Sequence, residues 1–325
     1  MRSVGLIGAR GFVGVELIDL IGRHAALNLE YASSRQAEGD PISAHAKSGS
    51  GSMKFEHLDA EHAAARNADI VVLALPDGAG VDYAQALEQT DSPPELIIDL
   101  SADHRFNDDW TYGLPEHNRH KLQGAKRISN PGCYATIAQI LIRPLLGKLA
   151  AKPNCFGISG YSGAGKKRSD RNDHKSLAHG VWPYKLVGHT HEREIAYQLD
   201  TPIRFSPHVA PYFRGITMTI QAELSAPIDQ DSLIELFHAA YRNEPLIAVS
   251  TDVPRVQDAV GADGASIGGF MLNPDRPTEI AIVGVLDNLR KGAATQAIQN
   301  LNLALGFEEM IGLNAQQPIS NGDQQ

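Results

Sequence analysis

Two cysteines in 325 residues, Cys133 and Cys155, cannot supply a disulfide framework or a cysteine metal cluster. Positive charge is short as well: the formal net charge is −9, which argues against a nucleic-acid or anionic-membrane partner. The only dense basic run, Lys166-Lys167-Arg168 with Arg171 and Lys175, is broken by Asp170 and Asp173. It reads as a solvated loop or a local anion site rather than a polyanion track. No uninterrupted apolar run is long enough to cross a bilayer. Arg10 and the early glycines interrupt the apolar N-terminus before a signal-peptide core would be complete. These absences lead to the expectation of a cytoplasmic chain whose thiols stay reduced. No internal repeat is visible.

What is present suits two domains with a large buried core. Arg127 to Asn130 reads as the end of a strand, Pro131-Gly132 as a tight turn, and Tyr134 onward as an apolar helix bent at Pro144. Cys133 then sits at a helix N-terminus, where the dipole favours the thiolate nucleophile. The alternative is a small buried core residue.

At the start of the chain, Ser3 to Gly8 is a buried-strand pattern and Phe12 to Arg23 has helical periodicity. Between them Gly8-x-x-Gly11-x-x-Gly14 lets the backbone approach a pyrophosphate, so Gly8, Arg10, Gly11, Phe12 and Val13 are candidate cofactor-binding residues. The next strand, Leu27 to Ala32, ends in Ser33-Ser34-Arg35 at the ribose-discriminating position. Two hydroxyls and a guanidinium suit a 2′-phosphate, which points to NADP(H); Glu30 nearby leaves an acid in play, and an ordinary polar loop is the alternative. Ile70 to Leu75 and Leu96 to Leu100 are two more buried strands. Ligands gather at the carboxyl ends of such strands, which brings in Leu75, Pro76, Ser101 and Arg105, the last with a surface ion pair as its alternative.

Beyond Cys133, Gly160 to Lys167 nearly matches a P-loop, but Lys167 stands where Ser or Thr must hold magnesium, which excludes nucleoside triphosphate hydrolysis. A flexible glycine turn rich in N–H donors remains, and Ser162 and Gly163 could meet a phosphate or the nicotinamide end of a cofactor. His189-Thr190-His191-Glu192 begins a helix running to Leu199, its two histidines sharing one face of the preceding extended segment. A metal site, an acid/base paired with Cys133, and surface histidines are the alternatives; Ile195 stands where a zinc-protease motif needs its second histidine, and the poised cysteine favours the acid/base. Phe205 to Gly215, with Arg214, precedes a strand at Ile216 to Leu224. A helix at Asp231 to Tyr241 and a strand at Glu279 to Val285 complete an α+β pattern. Asp287-Asn288 opens a long amphipathic helix to Leu305, with Asn288 free to meet the cofactor or to cap the terminus. Asn314 to Gln325 reads as a disordered tail.

Seven motifs stand in the order found in N-acetyl-γ-glutamyl-phosphate reductases. They are Gly8-x-x-Gly11-x-x-Gly14, Leu100-Ser101-Ala102-Asp103-x-Arg105, Tyr112-Gly113-Leu114-Pro115-Glu116, Asn130-Pro131-Gly132-Cys133-Tyr134-Ala135-Thr136, Ser159-Gly160-x-Ser162-Gly163-Ala164-Gly165, His189-x-His191-x-x-Glu194 and Asp287-Asn288-Leu289-x-Lys291-Gly292-Ala293. The chain resembles that family from about Val4 to Phe307. The resemblance implies an α/β fold with an N-terminal Rossmann-type dinucleotide-binding domain (1–132 plus 287–313) and an α+β catalytic and dimerisation domain (133–286), before the tail (314–325). It implies NADPH-dependent reduction of an acyl phosphate to a semialdehyde in arginine biosynthesis, by a homo-oligomer, dimer or tetramer, with no metal. It places the nucleophile on Cys133, the acid/base on His191, and Arg105, Asn130, His189, Glu194 and Arg214 about the substrate. His104, Thr190 and Arg193 depart from the family's usual Phe, Arg and Pro; none removes a reacting group. Alternatives are an aspartate-semialdehyde or aminoadipate-type reductase, a redox-sensing NADP-binding regulator, and a metal hydrolase built on His189 and His191.

Overall fold

The computed structural model describes residues 1–48 and 52–316. It divides into two compact units, Met1–Gly132 with Ala293–Leu313, and Cys133–Gly292 with the chain from Asn314 on. The first unit runs β1 (Arg2–Ile7), α1 (Phe12–Gly22), β2 (Leu27–Ser33), α2 (Ala60–Ala64), β3 (Ile70–Leu73), α3 (Gly80–Glu88), β4 (Leu96–Asp99), β5 (Thr111–Tyr112), α4 (Pro115–Leu122) and β6 (Arg127–Ser129). Its strands pair all-parallel in the order β2-β1-β3-β4-β6-β5. Every residue of β3 and β4 is buried, as expected of parallel strands with helices on both faces. The order reverses between β1 and β3, so the loops after these strands flank the crevice where such sheets take ligands.

The second unit runs α5 (Cys133–Ile142), β7 (Asn154–Gly160), α6 (His174–Leu177), β8 (Trp182–Pro183), α7 (Thr190–Leu199), β9 (Arg204–Ala210), β10 (Ile216–Glu223), α8 (Gln230–Tyr241), β11 (Ile247–Val249), α9 (Val256–Ala259), β12 (Ala265–Asn273) and β13 (Arg276–Leu286). These strands form a mixed sheet, β11-β12-β13-β10-β7-β9-β8. Cys155, Phe205, Met218, Ile220, Ile280 and Ile282 pack with the apolar side chains of α5, α7 and α8 in one core. The other face alternates, with Phe156 and Met271 exposed.

Four expectations change. The helix after Cys133 stops at Ile142 and Arg143–Leu145 is a 3-10 turn around Pro144, because proline offers no N–H for a continuing ladder. The segment taken as the lead-in to Ile216 is itself β9, hidden by its two prolines. The stretch from Asp287 is not one amphipathic helix: Arg290–Ala294 is a π-helical turn, and α10 (Thr295–Ala304) is buried on nearly every side. Several of its polar residues find partners inside the unit: Asn300 donates to the Gly113 carbonyl, Asn302 to the carbonyls of Glu309 and Ile311, and Gln299 to Glu309. Of the expected tail, residues 317–325 lie outside the described residues. Asn314 donates to Asp263 and Gln316 to Ser266.

Candidate functional site

In the first unit the turn after β1 is a backbone construction. Gly8 has φ +81°, and a Cβ there would stand 2.2 Å from the Ala74 carbonyl oxygen. A Cβ on Gly14 would stand 2.4 Å from the Ala9 carbonyl. The amides of Gly8 and Ala9 both donate to the Ser33 carbonyl, at 3.0 and 2.9 Å, which locks the turn to the end of β2. Gly11 precedes α1 with no side chain capping it. Such a helix start favours an anion, so the cradle fits a dinucleotide pyrophosphate. Arg10 pairs with Gln36, and Phe12 and Val13 lie half-buried at the helix start.

The discriminating loop is only partly as expected. Ser33 is buried, and its hydroxyl accepts the Leu58 amide at 3.1 Å; its side chain braces the neighbouring chain instead of facing a ribose phosphate. Ser34 is buried and Arg35 exposed. Glu30 is exposed in mid-strand, three residues before the carboxyl end of β2.

After β3, Leu75 lies half-buried and Pro76 exposed, and this loop is laced to the one after β4. Asp103 accepts the amides of Gly78 and Gly80 at 2.6 and 3.0 Å, and Asp77 that of Ala102 at 2.9 Å. Asp99, fully buried, accepts the Ser101 amide and hydroxyl and the His104 imidazole at 2.9, 2.8 and 2.6 Å. His104 stacks on Trp110, ring centroids 3.9 Å apart. The imidazole therefore keeps the stacking a phenyl ring would make and adds a bond to Asp99. Sequence reasoning named Ser101 and passed over this hub.

Arg105 is no surface ion-pair partner: it is buried and donates to the carbonyls of Asn130 and Leu100, both at 2.9 Å. The Asn130 side chain gives its amide to the Ala293 carbonyl and accepts from Asn300. The structure thus gives the Asn130 side chain structural partners in place of the expected substrate contact.

The second unit carries the cysteine. Cys133 is half-buried and is the first residue of α5. A Cβ on Gly292 would stand 2.7 Å from the Cys133 Cβ, so only glycine lets the 287–292 turn close on it. Asp287 holds that turn: it accepts the amides of Leu289 and Gly261 and pairs with the Arg214 guanidinium at 2.6 Å. Arg214 is therefore committed to the turn. Asn288 donates to the Ser162 hydroxyl and accepts the Gly215 amide, at 2.9 and 2.7 Å. The amides of Gly160, Tyr161 and Ser162 are spent on the carbonyls of Gly215, Tyr212 and Phe213. The 160–165 turn is thus poorer in open donors than its glycines suggest. Gly163 would bring a Cβ to 3.1 Å from the Ser159 hydroxyl.

The two histidines do not share an extended segment. His189 caps α7 from outside, its Nδ1 accepting the His191 amide at 3.1 Å, and His191 stands in the first turn. Their ring centroids are 4.9 Å apart, and both meet the buried Tyr134, at 6.5 and 5.9 Å. An Nδ1 that accepts carries no proton, which fixes the neutral tautomer with its proton on Nε2. Burial, then the charges of Lys185 and Arg171, push the His189 pKa down to about 4. Tyr184 closes over His189, centroids 5.7 Å apart, and its phenol is pushed up to about 12 by burial and then by the charge of Cys133. Glu194 is fully buried on the same helix. Thr190 opens α7, and Arg193 keeps an amide that donates to the His189 carbonyl at 3.2 Å. Cys155 is buried and its thiol is pushed far up by desolvation, which leaves it unreactive. Tyr134, Tyr184 and Gly292 carried no sequence signal beyond lying in or near the motifs.

Residues 3–125 match the semialdehyde dehydrogenase NAD binding domain and residues 133–288 the semialdehyde dehydrogenase dimerisation domain. An N-acetyl-gamma-glutamyl-phosphate reductase of Xanthomonas euvesicatoria is 47% identical over 312 residues, covering 96% of this chain and 98% of the relative. One from Xylella fastidiosa is 48% identical over 311 residues, covering 96% and 94%. In fold, aspartate semialdehyde dehydrogenase II of Vibrio cholerae matches with a TM-score of 0.76 at 19% identity, over 94% of this chain and 98% of that one.

Proposed function

The chain belongs to the N-acetyl-γ-glutamyl-phosphate reductase family, and on that premise we propose that it reduces N-acetyl-γ-glutamyl phosphate to N-acetylglutamate semialdehyde and phosphate, a step of arginine biosynthesis. The observation that carries the reading is Cys133 at the start of α5, its charge felt by Tyr134 and Tyr184, whose rings in turn meet His189 and His191. The Cys133 thiolate attacks the acyl carbon and the phosphate leaves, giving a thioester. When bound, NADPH supplies the hydride that reduces this thioester. The hemithioacetal that results breaks its C–S bond, returning the thiolate to Cys133 and releasing the aldehyde.

One proton must be handled over the cycle. His189 is held neutral with its Nδ1 spent on the His191 amide, so we assign the proton to His191 and a hydrogen-bonding role to the His189 Nε2–H. The amides at the start of α5 face the developing oxyanion. Arg214 and Asp287 act at one remove, by holding Gly292 against Cys133. Arg105 serves similarly by bracing the loop that ends in Asn130, and Glu194 from its buried place on α7. The turn of Gly8, Gly11 and the α1 start would hold NADP(H), with Arg10 and Arg35 available to its phosphates.

A second copy of the chain is the expected partner. The open face of the second unit's sheet, with Phe156 and Met271 exposed, is the surface we assign to a homodimer. Among the described residues no helix is long and apolar enough to cross a membrane; we place the enzyme in the cytoplasm, where Cys133 stays reduced.

The test runs the reaction backwards with N-acetylglutamate semialdehyde, phosphate and NADP. Phosphate-dependent NADPH formation, lost about a thousandfold or more in Cys133→Ser while NADP binding survives, is the expected result. Turnover with aspartate semialdehyde only would overturn the substrate, and full activity of the variant would overturn the nucleophile.

A further inference from the structure

One feature of the second unit is absorbed by none of these roles. The segment 166–185 carries six lysines and arginines against two aspartates in a chain of net charge −9. Two of these cations, both exposed, act on the ring cluster of Tyr184 and His189 beside Cys133. The Arg171 guanidinium lies over the Tyr184 ring, 4.9 Å from its centroid; Tyr184 meets His189 edge-on at 5.7 Å, and His189 meets His191 at 4.9 Å. Lys185 follows Tyr184 directly and is held in a left-handed backbone, φ +44°. A residue with a Cβ adopts that backbone only uncommonly.

Other cations of this unit are already committed, Arg214 to Asp287 and Arg290 to Asp263. Among the described residues, Arg171 and Lys185 meet no carboxylate. With no carboxylate to take its N–H donors, a guanidinium over an aromatic ring can grip a planar or tetrahedral oxyanion.

Resting on the reading of Cys133 as the nucleophile of an acyl-phosphate reductase, we propose that Arg171 and Lys185 form an oxyanion subsite beside the cysteine, receiving a carboxylate or phosphate group of the substrate. Both groups are oxyanions that these donors bind in the same way. The charges of both cations already reach the neighbouring histidine, for they add to burial in holding His189 down at about 4. Tyr184 is then the wall through which Arg171 is positioned, and Tyr184 itself feels the charge of Cys133.

The reverse reaction separates the two sources, because phosphate and semialdehyde have their own KM values. Arg171→Met, Lys185→Met and the double variant are measured with N-acetylglutamate semialdehyde, inorganic phosphate and NADP, at two salt concentrations. The expected result is a rise of about tenfold per cation in one of the two KM values, with kcat within about threefold and the NADP dissociation constant unchanged. A rise confined to phosphate assigns the subsite to the leaving group; a rise confined to the semialdehyde assigns it to the substrate carboxylate. Arg171→Lys, which keeps the charge and loses the fork, recovers part of the effect. Unchanged KM values, or a fall in kcat alone, would overturn the subsite while leaving the enzyme's reaction standing. Wild-type protein inactive with both substrates would overturn the reading beneath it as well.

Discussion

On the proposed reading, the glycine turn of the first unit and the cysteine site of the second would reach their chemistry by opposite means. Around Gly8 the working groups are backbone: amides of Gly8 and Ala9 fixed on the Ser33 carbonyl, and a helix start that no side chain caps. Around Cys133 they are side chains gathered from positions 133, 134, 184, 189 and 191, with Gly292 allowing the turn to close. A backbone site tolerates change in its side chains but not in its glycines. A side-chain site depends on protonation states, which burial sets. The two units should therefore fail differently when perturbed.

The largest effect is expected at Gly8. Gly8→Ala places a methyl group against the Ala74 carbonyl in a left-handed backbone, a cost of about 4 kcal/mol shared between stability and cofactor affinity. Chemical denaturation with and without NADPH measures it, and an unaltered protein would break the claim that the turn is backbone-determined. Gly292→Ala comes next. Its Cβ has nowhere to go except into Cys133, so kcat should fall about a hundredfold while NADPH binding, measured by titration, stays intact. Equal loss of both would blur the contrast between the units.

His189 sharpens the comparison through pH. Its folded pKa, about 4, lies below the ordinary 6.5, so the unfolded chain binds the proton first as pH falls. Stability tied to this group is complete above pH 6.5 and is lost on the way down to pH 4, by about 2 kcal/mol after allowance for solvent at the pocket's edge. Asparagine can still cap α7. His189→Asn should therefore flatten the stability profile between pH 6.5 and 4, read by urea unfolding at each pH; an unchanged slope would show that another group carries it. The smallest effect is expected at Arg35. Arg35→Asp should weaken NADPH about tenfold more than NADH, and equal losses would remove Arg35 from the 2′-phosphate.

The same contrast explains what could be read in advance. The glycine spacing, β1, α1, β2 and the helix start at Cys133 were legible because each is a local pattern, a strand period or a turn requirement. The seven motifs in order extended this to the family. Side-chain commitments were not legible. Ser33, Ser101 and Asn130 are polar residues in the expected loops, yet Ser33 and Asn130 spend their side chains on neighbours distant in sequence, Leu58 and Asn300, and Ser101 spends its own on the buried Asp99. Nor could α10 be read correctly, since glutamines and asparagines at 296, 299, 300 and 302 look like a solvent face until buried partners are found. Tyr184 approaches His189 across four intervening residues with no periodic signal. The neutrality of His189 depends on burial and on two cations, which no spacing reveals.

The central claim is that catalysis passes through a thioester on Cys133. Phosphate is needed only to release that thioester in the reverse direction, so the most direct measurement omits it. Enzyme mixed with N-acetylglutamate semialdehyde and NADP alone should form one NADPH per active chain in a burst. Mass analysis should then find an N-acetylglutamyl group on the Cys133 peptide, discharged on addition of phosphate. Steady turnover with phosphate present, but no burst and no adduct in its absence, would contradict the covalent route.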